Sequence, residues 1–173
     1  SAPYLSAAVV DNDFDFHGRT LSGTPELRPR WKRGVAVVQG AVGEAVGREY
    51  VARHFPPHAK AMMDTLVANL LEAYRRSIEA LDWMGEATKA RAFEKIASFR
   101  PKIGYPEVFR DYSALKFDAS DLIGNVSAAA AFETDRQLAK IGAPVDRDEW
   151  LMLPQTVNAY YNPGTNETCF PAG

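Results

Sequence analysis

Apolar residues recur at intervals of three and four along this chain, and prolines or glycines close each run. The clearest run covers residues 57–81, where one helical face would carry Met63, Val67, Leu70, Tyr74, Ile78 and Leu81. Such spacing is typical of an amphipathic helix. Similar spacing predicts further helices at 26–54, 86–99 and 118–141. The chain is therefore predicted to be mainly α-helical.

Prolines and glycines set the predicted ends of these helices. Pro56 and Pro57 separate the first two, because proline cannot donate the next backbone hydrogen bond. Residues 142–144, Gly-Ala-Pro, end the last helix. Residues 1–23 are polar and turn-prone and are predicted to be irregular. Residues 100–106 are predicted to be a proline-glycine connector.

The last thirty residues change character and predict a β-hairpin. Residues 156–161 and 167–170 are β-branched and aromatic, and the segment 162–166 between them is dense in turn residues. An isolated hairpin is marginal in water. We therefore expect the hairpin to pack on the helices, or to belong to a sheet whose other strands lie outside this sequence. In the second case it should be mobile or pair with another copy.

Composition narrows the class of protein. The chain has 173 residues and a formal charge of −2 from 20 basic and 22 acidic residues, without the basic stripe of a nucleic-acid binder. No run of about 18 uncharged apolar residues exists, so no membrane-spanning segment is predicted. Cys169 is the single cysteine, so no internal disulfide can form.

Two sets of side chains imitate metal ligands. His54 and His58 are four residues apart, but two prolines interrupt any helix between them and no glutamate follows His54. We interpret them as surface histidines, with a metal site as the lesser alternative. Asp11, Asp13 and Asp15 imitate a calcium loop that lacks its glycine and its closing glutamate, which favours an acidic turn.

Three other features have structural interpretations. Gly40, Gly43 and Gly47 follow helical spacing and predict a close helix crossing. Glu44 and Arg48, four residues apart, are expected to form an exposed pair. Cys169 has no base nearby in the sequence, so it is interpreted as a buried small side chain rather than a nucleophile.

Asn158, in the first predicted strand, is the one candidate binding residue. A strand at a sheet edge can accept an extended peptide through main-chain hydrogen bonds. The Asn158 amide offers both donors and an acceptor for a peptide backbone. The alternative is that Asn158 only caps or bulges the strand, and the pattern alone does not favour either.

Seven collinear segments carry a resemblance to a known family. They are Arg30-Trp31-Lys32-Arg33, Ala45-Val46-Gly47-Arg48-Glu49-Tyr50-Val51, Leu81-Asp82-Trp83-Met84 with Thr88-Lys89-Ala90-Arg91-Ala92, Lys102-Ile103-Gly104-Tyr105-Pro106, Val145-Asp146-Arg147-Asp148-Glu149-Trp150, Thr156-Val157-Asn158-Ala159-Tyr160-Tyr161-Asn162-Pro163 and Cys169-Phe170-Pro171-Ala172-Gly173. The ordered set resembles the neprilysin-like zinc metallopeptidases, which include neprilysin, endothelin-converting enzymes and many bacterial oligopeptidases.

The resemblance implies a fold and a substrate site. Family members have a mostly helical lobe and a thermolysin-like catalytic lobe around a central cavity. Residues 1–144 would belong to the helical lobe, and residues 145–173 would begin the catalytic lobe with its peptide-binding edge strand. By resemblance, Asn158 and Ala159 hold the substrate backbone, and peptides and the remainder of the catalytic lobe are the partners.

The resemblance also implies what this piece lacks. The family's zinc ligands and general base lie in H-E-x-x-H and a later glutamate motif, and neither occurs up to Gly173. The sequence thus offers no catalytic residue and no metal ligand, and Zn²⁺ is implied only for the complete enzyme. We expect an internal fragment, inactive alone, from a bacterial parent acting outside the cytoplasm. The alternative is a stand-alone, non-catalytic helical interaction module.

Overall fold

A computed structural model describes residues 2–173. The helices are a 3₁₀ turn at Ala2–Tyr4, α1 at Ala7–Asp13, a π-helical segment at Phe14–Leu21, α2 at Arg30–His54, α3 at Pro57–Glu79, α4 at Glu86–Ala97 and α5 at Leu122–Leu138. The strands are β1 at Arg100–Gly104, β2 at Tyr160–Asn162 and β3 at Glu167–Pro171. The predicted mainly α-helical class, followed by C-terminal strands, is confirmed.

The four long helices form where their apolar periodicity predicts them, within a few residues at each end. Helix α3 begins at Pro57, directly after Pro56 in an extended conformation, because proline is tolerated in a first turn. The Asp121 carboxylate starts α5 by accepting a hydrogen bond from the Gly124 amide at 2.8 Å. None of the helices within residues 2–173 is long and apolar enough to cross a membrane.

The prediction of an irregular segment at residues 1–23 is wrong, because most of that segment is helical. Pairs of side chains four residues apart stabilise it. The Arg19 guanidinium donates to the Asp15 carboxylate at 2.5 Å, and the His17 ring lies 3.1 Å from the Asp13 carboxylate. The three aspartates at 11, 13 and 15 therefore lie on helical turns, and neither a calcium loop nor an acidic turn forms there.

The predicted connector at residues 100–106 contains a strand instead. The sheet order is β1-β3-β2, in which β3 pairs in parallel with β1 and antiparallel with β2. Pro101 is compatible with β1 because the strand has a neighbour on one side only, so a missing amide hydrogen costs no ladder bond on the open side.

Strand β1 also overturns the expectation that the hairpin lacks a partner in this chain. It covers the side of β3 that β2 leaves open, with Ile103 aligned to Phe170. Cys169 and Glu167, both on β3, are consequently buried. The hairpin is thus the outer part of a three-stranded sheet whose first strand precedes it by more than fifty residues.

The chain divides into two compact units. Residues 1–43 and 111–144 form one, and residues 44–110 and 145–173 form the other. Helix α2 runs through the division, and its backbone leaves helical geometry at Val42. The strand-bearing C-terminal segment thus shares a unit with α3, α4 and β1. Its predicted assignment to a different lobe from residues 1–144 stays a prediction.

Two predictions about α2 need correction. Glu44 is not an exposed partner of Arg48, because it is buried and its carboxylate binds both the guanidinium of Arg110 at 3.0 Å and the Arg110 amide at 2.7 Å. The close approach predicted for the glycines occurs at Gly47, but the neighbour is the loop residue Pro154 and not a helix. An added Cβ at Gly40 would meet no atom within 4 Å.

Candidate functional site

The two predicted substrate-binding residues lie directly before the edge strand β2. Asn158 and Ala159 are exposed, and regular pairing begins only at Tyr160, so the predicted strand 156–161 is shorter than expected. Strand β2 pairs with β3 on one side, and the sheet has no further strand beyond it among residues 2–173. An exposed segment therefore leads into a strand with one open edge.

A tight turn shapes the backbone at Asn158. The backbone N–H of Asn158 donates to the Thr156 carbonyl at 3.0 Å. The side-chain oxygen of Asn158 accepts a hydrogen bond from the Ala159 backbone N–H at 2.8 Å. The side chain therefore caps the start of the strand. A carbonyl-type oxygen has two lone pairs, so capping leaves it able to accept a second hydrogen bond.

A buried ion pair lies within the same sheet. The Lys102 ammonium is 3.0 Å from the Glu167 carboxylate and donates a hydrogen bond to the Glu149 carbonyl at 2.6 Å. The Tyr160 hydroxyl donates to the other carboxylate oxygen of Glu167 at 3.1 Å. Lys102 is 8% exposed and Glu167 is 2% exposed, so both charges are withdrawn from water. One network thus joins β1, β3 and β2.

Burial and charge shift the acidities of this cluster. Burial opposes ionisation of Glu167, but the hydrogen bond and charge of Lys102 help to outweigh it and leave the pKa below its ordinary value. Burial raises the pKa of the Tyr160 phenol, with a further contribution from Cys169. Burial also raises the pKa of Cys169 to about 11, which keeps the thiol protonated at neutral pH. Because the thiolate is the reactive form of cysteine, a thiol that stays protonated agrees with a structural role for Cys169.

The hairpin turn is anchored to helix α4 by one side chain. Asn166 has a positive φ of 52°. Its amide nitrogen donates to the Lys95 carbonyl at 2.8 Å and to the Ser98 hydroxyl at 2.9 Å, and its side-chain oxygen accepts from the Tyr161 hydroxyl at 3.1 Å. The turn that precedes β3 is therefore fixed to the end of a helix.

Sequence reasoning did not identify Lys102, Glu167 or Asn166 as residues that shape this region. Their partners lie far away in the chain, so no local spacing marks them. One signal was available, because a charged residue in each of two short strands must be paired if the strands become buried.

The histidines do not come together with other ligands. His54 ends α2 and contacts the Tyr50 ring, while His58 lies in the first turn of α3, and both are exposed. Across residues 2–173, no group of three or more histidine, cysteine, aspartate or glutamate side chains could hold a metal ion. These described residues thus bring no set of zinc ligands together, and we derive no chemical step through zinc from them.

Comparisons with known proteins agree with this architecture. Residues 1–106 match the model of "Peptidase family M13". The chain is 37% identical over 174 residues to a neutral endopeptidase from Lactobacillus helveticus and 32% identical over 163 residues to human neprilysin. It superposes on the crystal structure of the Mycobacterium tuberculosis zinc metalloprotease Zmp1, solved with an inhibitor, at a TM-score of 0.90 and 58% identity.

The shares of each chain that align are unequal. The alignments cover 99%, 90% and 99% of this chain, but only 27%, 22% and 26% of those three proteins. The chain therefore spans about a quarter of the length of its relatives.

The fold and these likenesses place the chain in the family of neprilysin-like zinc metallopeptidases. The chain belongs to peptidase family M13.

Proposed function

We propose that this chain is part of a zinc endopeptidase that cleaves small peptides, and that it holds the substrate backbone at Asn158 and Ala159. The observation that carries the proposal is the exposed segment leading into the open edge of β2. Residues 1–144 would contribute to a helical lobe and residues 145–173 would begin the catalytic lobe. By likeness to its relatives, the complete protein would act outside the cytoplasm.

The geometry of Asn158 suits a backbone clamp. An extended peptide beside β2 would offer alternating N–H and C=O groups whatever its side chains are. The Ala159 backbone N–H already orients the Asn158 side-chain oxygen, which retains a lone pair for a peptide N–H. The side-chain nitrogen of Asn158 carries N–H donors for a peptide carbonyl. Capping and clamping are therefore compatible functions of one side chain.

Hydrolysis requires chemistry that this chain does not supply. A bound zinc ion would act as a Lewis acid and would generate the attacking water in the complete enzyme. The contribution of this chain is to bind and orient the peptide, which lowers the entropic part of the barrier.

The clamp is tested by Asn158→Ala in the complete enzyme. Losing one or two hydrogen bonds to substrate costs about 1–3 kcal/mol of transition-state binding, which lowers kcat/KM by roughly 5- to 150-fold. Asn162→Ala is the matched control, because that side chain bonds to Gly164 inside the hairpin turn. An unchanged kcat/KM in Asn158→Ala would remove the clamp from the proposal.

The coding sequence beyond Gly173 separates the endopeptidase from the alternative of a stand-alone helical module. An H-E-x-x-H motif within the next several dozen codons supports the peptidase, because it would supply two zinc ligands and a general base. A stop codon at that point would favour the non-catalytic module.

A further inference from the structure

One face of the sheet carries four residues that act together. Lys102 on β1 and Tyr160 on β2 are both aligned with Cys169 on β3. Aligned residues of neighbouring strands point to the same face, and so do residues two apart on one strand. Glu167 therefore shares this face, and both flanking side chains reach it across the sheet, at 3.0 Å and 3.1 Å.

The network places two opposite charges inside a three-stranded sheet. Burying an ion pair is weak evidence of stabilisation, since well-packed apolar residues often serve as well. An ion pair with added hydrogen bonds differs from apolar packing in being directional. The Lys102–Glu167 ion pair, with the hydrogen bonds from Lys102 to the Glu149 carbonyl and from Tyr160 to Glu167, therefore favours one relative position of the strands.

Tyr160 transmits this position to the peptide-binding segment. Its hydroxyl is held by Glu167, and its backbone carbonyl accepts a hydrogen bond from the Thr168 hydroxyl at 3.0 Å. Two residues earlier in the chain is Asn158. The start of β2 is thus fixed from the inner side, while the opposite edge stays open for a peptide.

We propose that Glu167, held by Lys102, is a positioning residue that acts through Tyr160 to place Asn158 and Ala159 for peptide binding. The inference rests on the proposed clamp and adds the buried residues that orient it. None of the three network side chains needs to touch the substrate. Small displacements of a binding group lower the rate strongly, so breaking the network should lower kcat/KM.

A double-mutant cycle in the complete enzyme tests the inference. Tyr160→Phe removes only the hydroxyl that Glu167 holds and keeps the ring that packs in the sheet. We expect kcat/KM for an internally quenched oligopeptide to fall about tenfold in the wild-type background. In the Asn158→Ala background the same change should lower kcat/KM by a smaller factor, because only Ala159 remains to be positioned.

Two further variants sharpen the cycle. Glu167→Gln keeps an acceptor for Tyr160 but removes the charge that pairs with Lys102. We therefore expect Glu167→Gln to lower kcat/KM by a smaller factor than Tyr160→Phe does. Tyr161→Phe is the matched control, because it deletes a hydroxyl from the next residue of the same strand that bonds to Asn166 and not to the network. Its kcat/KM should equal that of the wild type.

The outcomes separate the inference from the proposed function. If Tyr160→Phe is without effect, or lowers kcat/KM by the same factor in both backgrounds, the positioning role is wrong while the clamp stands. If Asn158→Ala itself leaves kcat/KM unchanged, the clamp is wrong and the inference falls with it. Melting temperatures of all variants show whether each is folded. If Glu167→Gln does not fold, the Tyr160→Phe cycle alone tests the positioning role.

Discussion

At the scale of single residues, Gly47 shows how a missing side chain sets a close approach. A Cβ at this position would lie 2.7 Å and 2.9 Å from ring carbons of Pro154. Because the proline ring cannot rotate away, α2 and the 154–155 loop would have to separate. Glycine at this position therefore allows the loop that precedes the peptide-binding segment to pack on α2.

Gly47→Ala should therefore destabilise the protein, by about 1–3 kcal/mol, the usual cost of overpacking. Gly40→Ala in the same helix is the matched control, because nothing lies within 4 Å of its added methyl. That control should stabilise the helix by about 0.5–1 kcal/mol. Urea denaturation of the two variants measures both changes, and equal effects in the same direction would contradict this packing.

Single residues also show how far sequence reasoning reaches. Asn158 was proposed from the chemistry of its amide and from the family resemblance, and its role in substrate binding stays a prediction. The structure places it directly before the edge strand β2. Glu44 was misjudged because its partner, Arg110, is 66 residues away. Spacing predicts neighbours along one helix, but it carries no information about partners that folding brings together.

At the scale of elements, the same distinction separates helices from strands. Helices α2 to α5 were predictable because the apolar stripe and the proline stops are local. Strand β1 was missed because Pro101 suggests a connector, and because its parallel partner β3 lies more than sixty residues further along the chain. The hairpin was predicted, whereas the sheet that supports it was not.

Asn166 is the element-scale contact between the hairpin and α4, and two substitutions separate its contributions. Both Asn166→Gly and Asn166→Ala lose the bonds to Lys95 and Ser98, at about 1 kcal/mol each. Alanine also has to adopt the positive φ, which costs roughly 1 kcal/mol more. Thermal unfolding should rank wild type above glycine above alanine, and equal stability of the two variants would exclude the backbone contribution.

The ion pair that crosses the sheet predicts a pH dependence of stability. The pKa of Glu167 is lower in the folded protein than its ordinary value of 4.5, so its stabilising effect is complete above pH 4.5. The effect disappears as the pH falls through the folded pKa, because the unfolded chain binds the proton first.

Glu167→Gln should therefore unfold about 3 kcal/mol more easily than the wild type near neutral pH, since the change leaves Lys102 buried without its partner. The difference should narrow below pH 4.5. Glu94→Gln is the control, because Glu94 forms an exposed pair with Arg91, and losing such a pair should change the free energy of unfolding by less than about 1 kcal/mol near neutral pH. If the difference in unfolding free energy between wild type and Glu167→Gln stays constant with pH, the carboxylate charge does not have this role.

At the scale of the whole molecule, several helices keep apolar side chains on the surface. Helix α3 buries Val67 but exposes Met62, Leu66, Leu70 and Tyr74, which recur every four residues along one stripe. Exposed apolar patches of this kind mark surfaces that bind other protein. The chain aligns with about a quarter of the length of its relatives, and we expect these faces to be covered in the complete enzyme.

The most direct test of the central claim is an assay of the purified 173-residue chain on an internally quenched oligopeptide, with added zinc and then with a chelator. The complete enzyme is assayed in parallel as the positive control. Our account predicts chelator-sensitive cleavage by the complete enzyme and none by the chain alone, because these residues offer a backbone clamp without a set of metal ligands. Zinc-dependent cleavage by the isolated chain would contradict it.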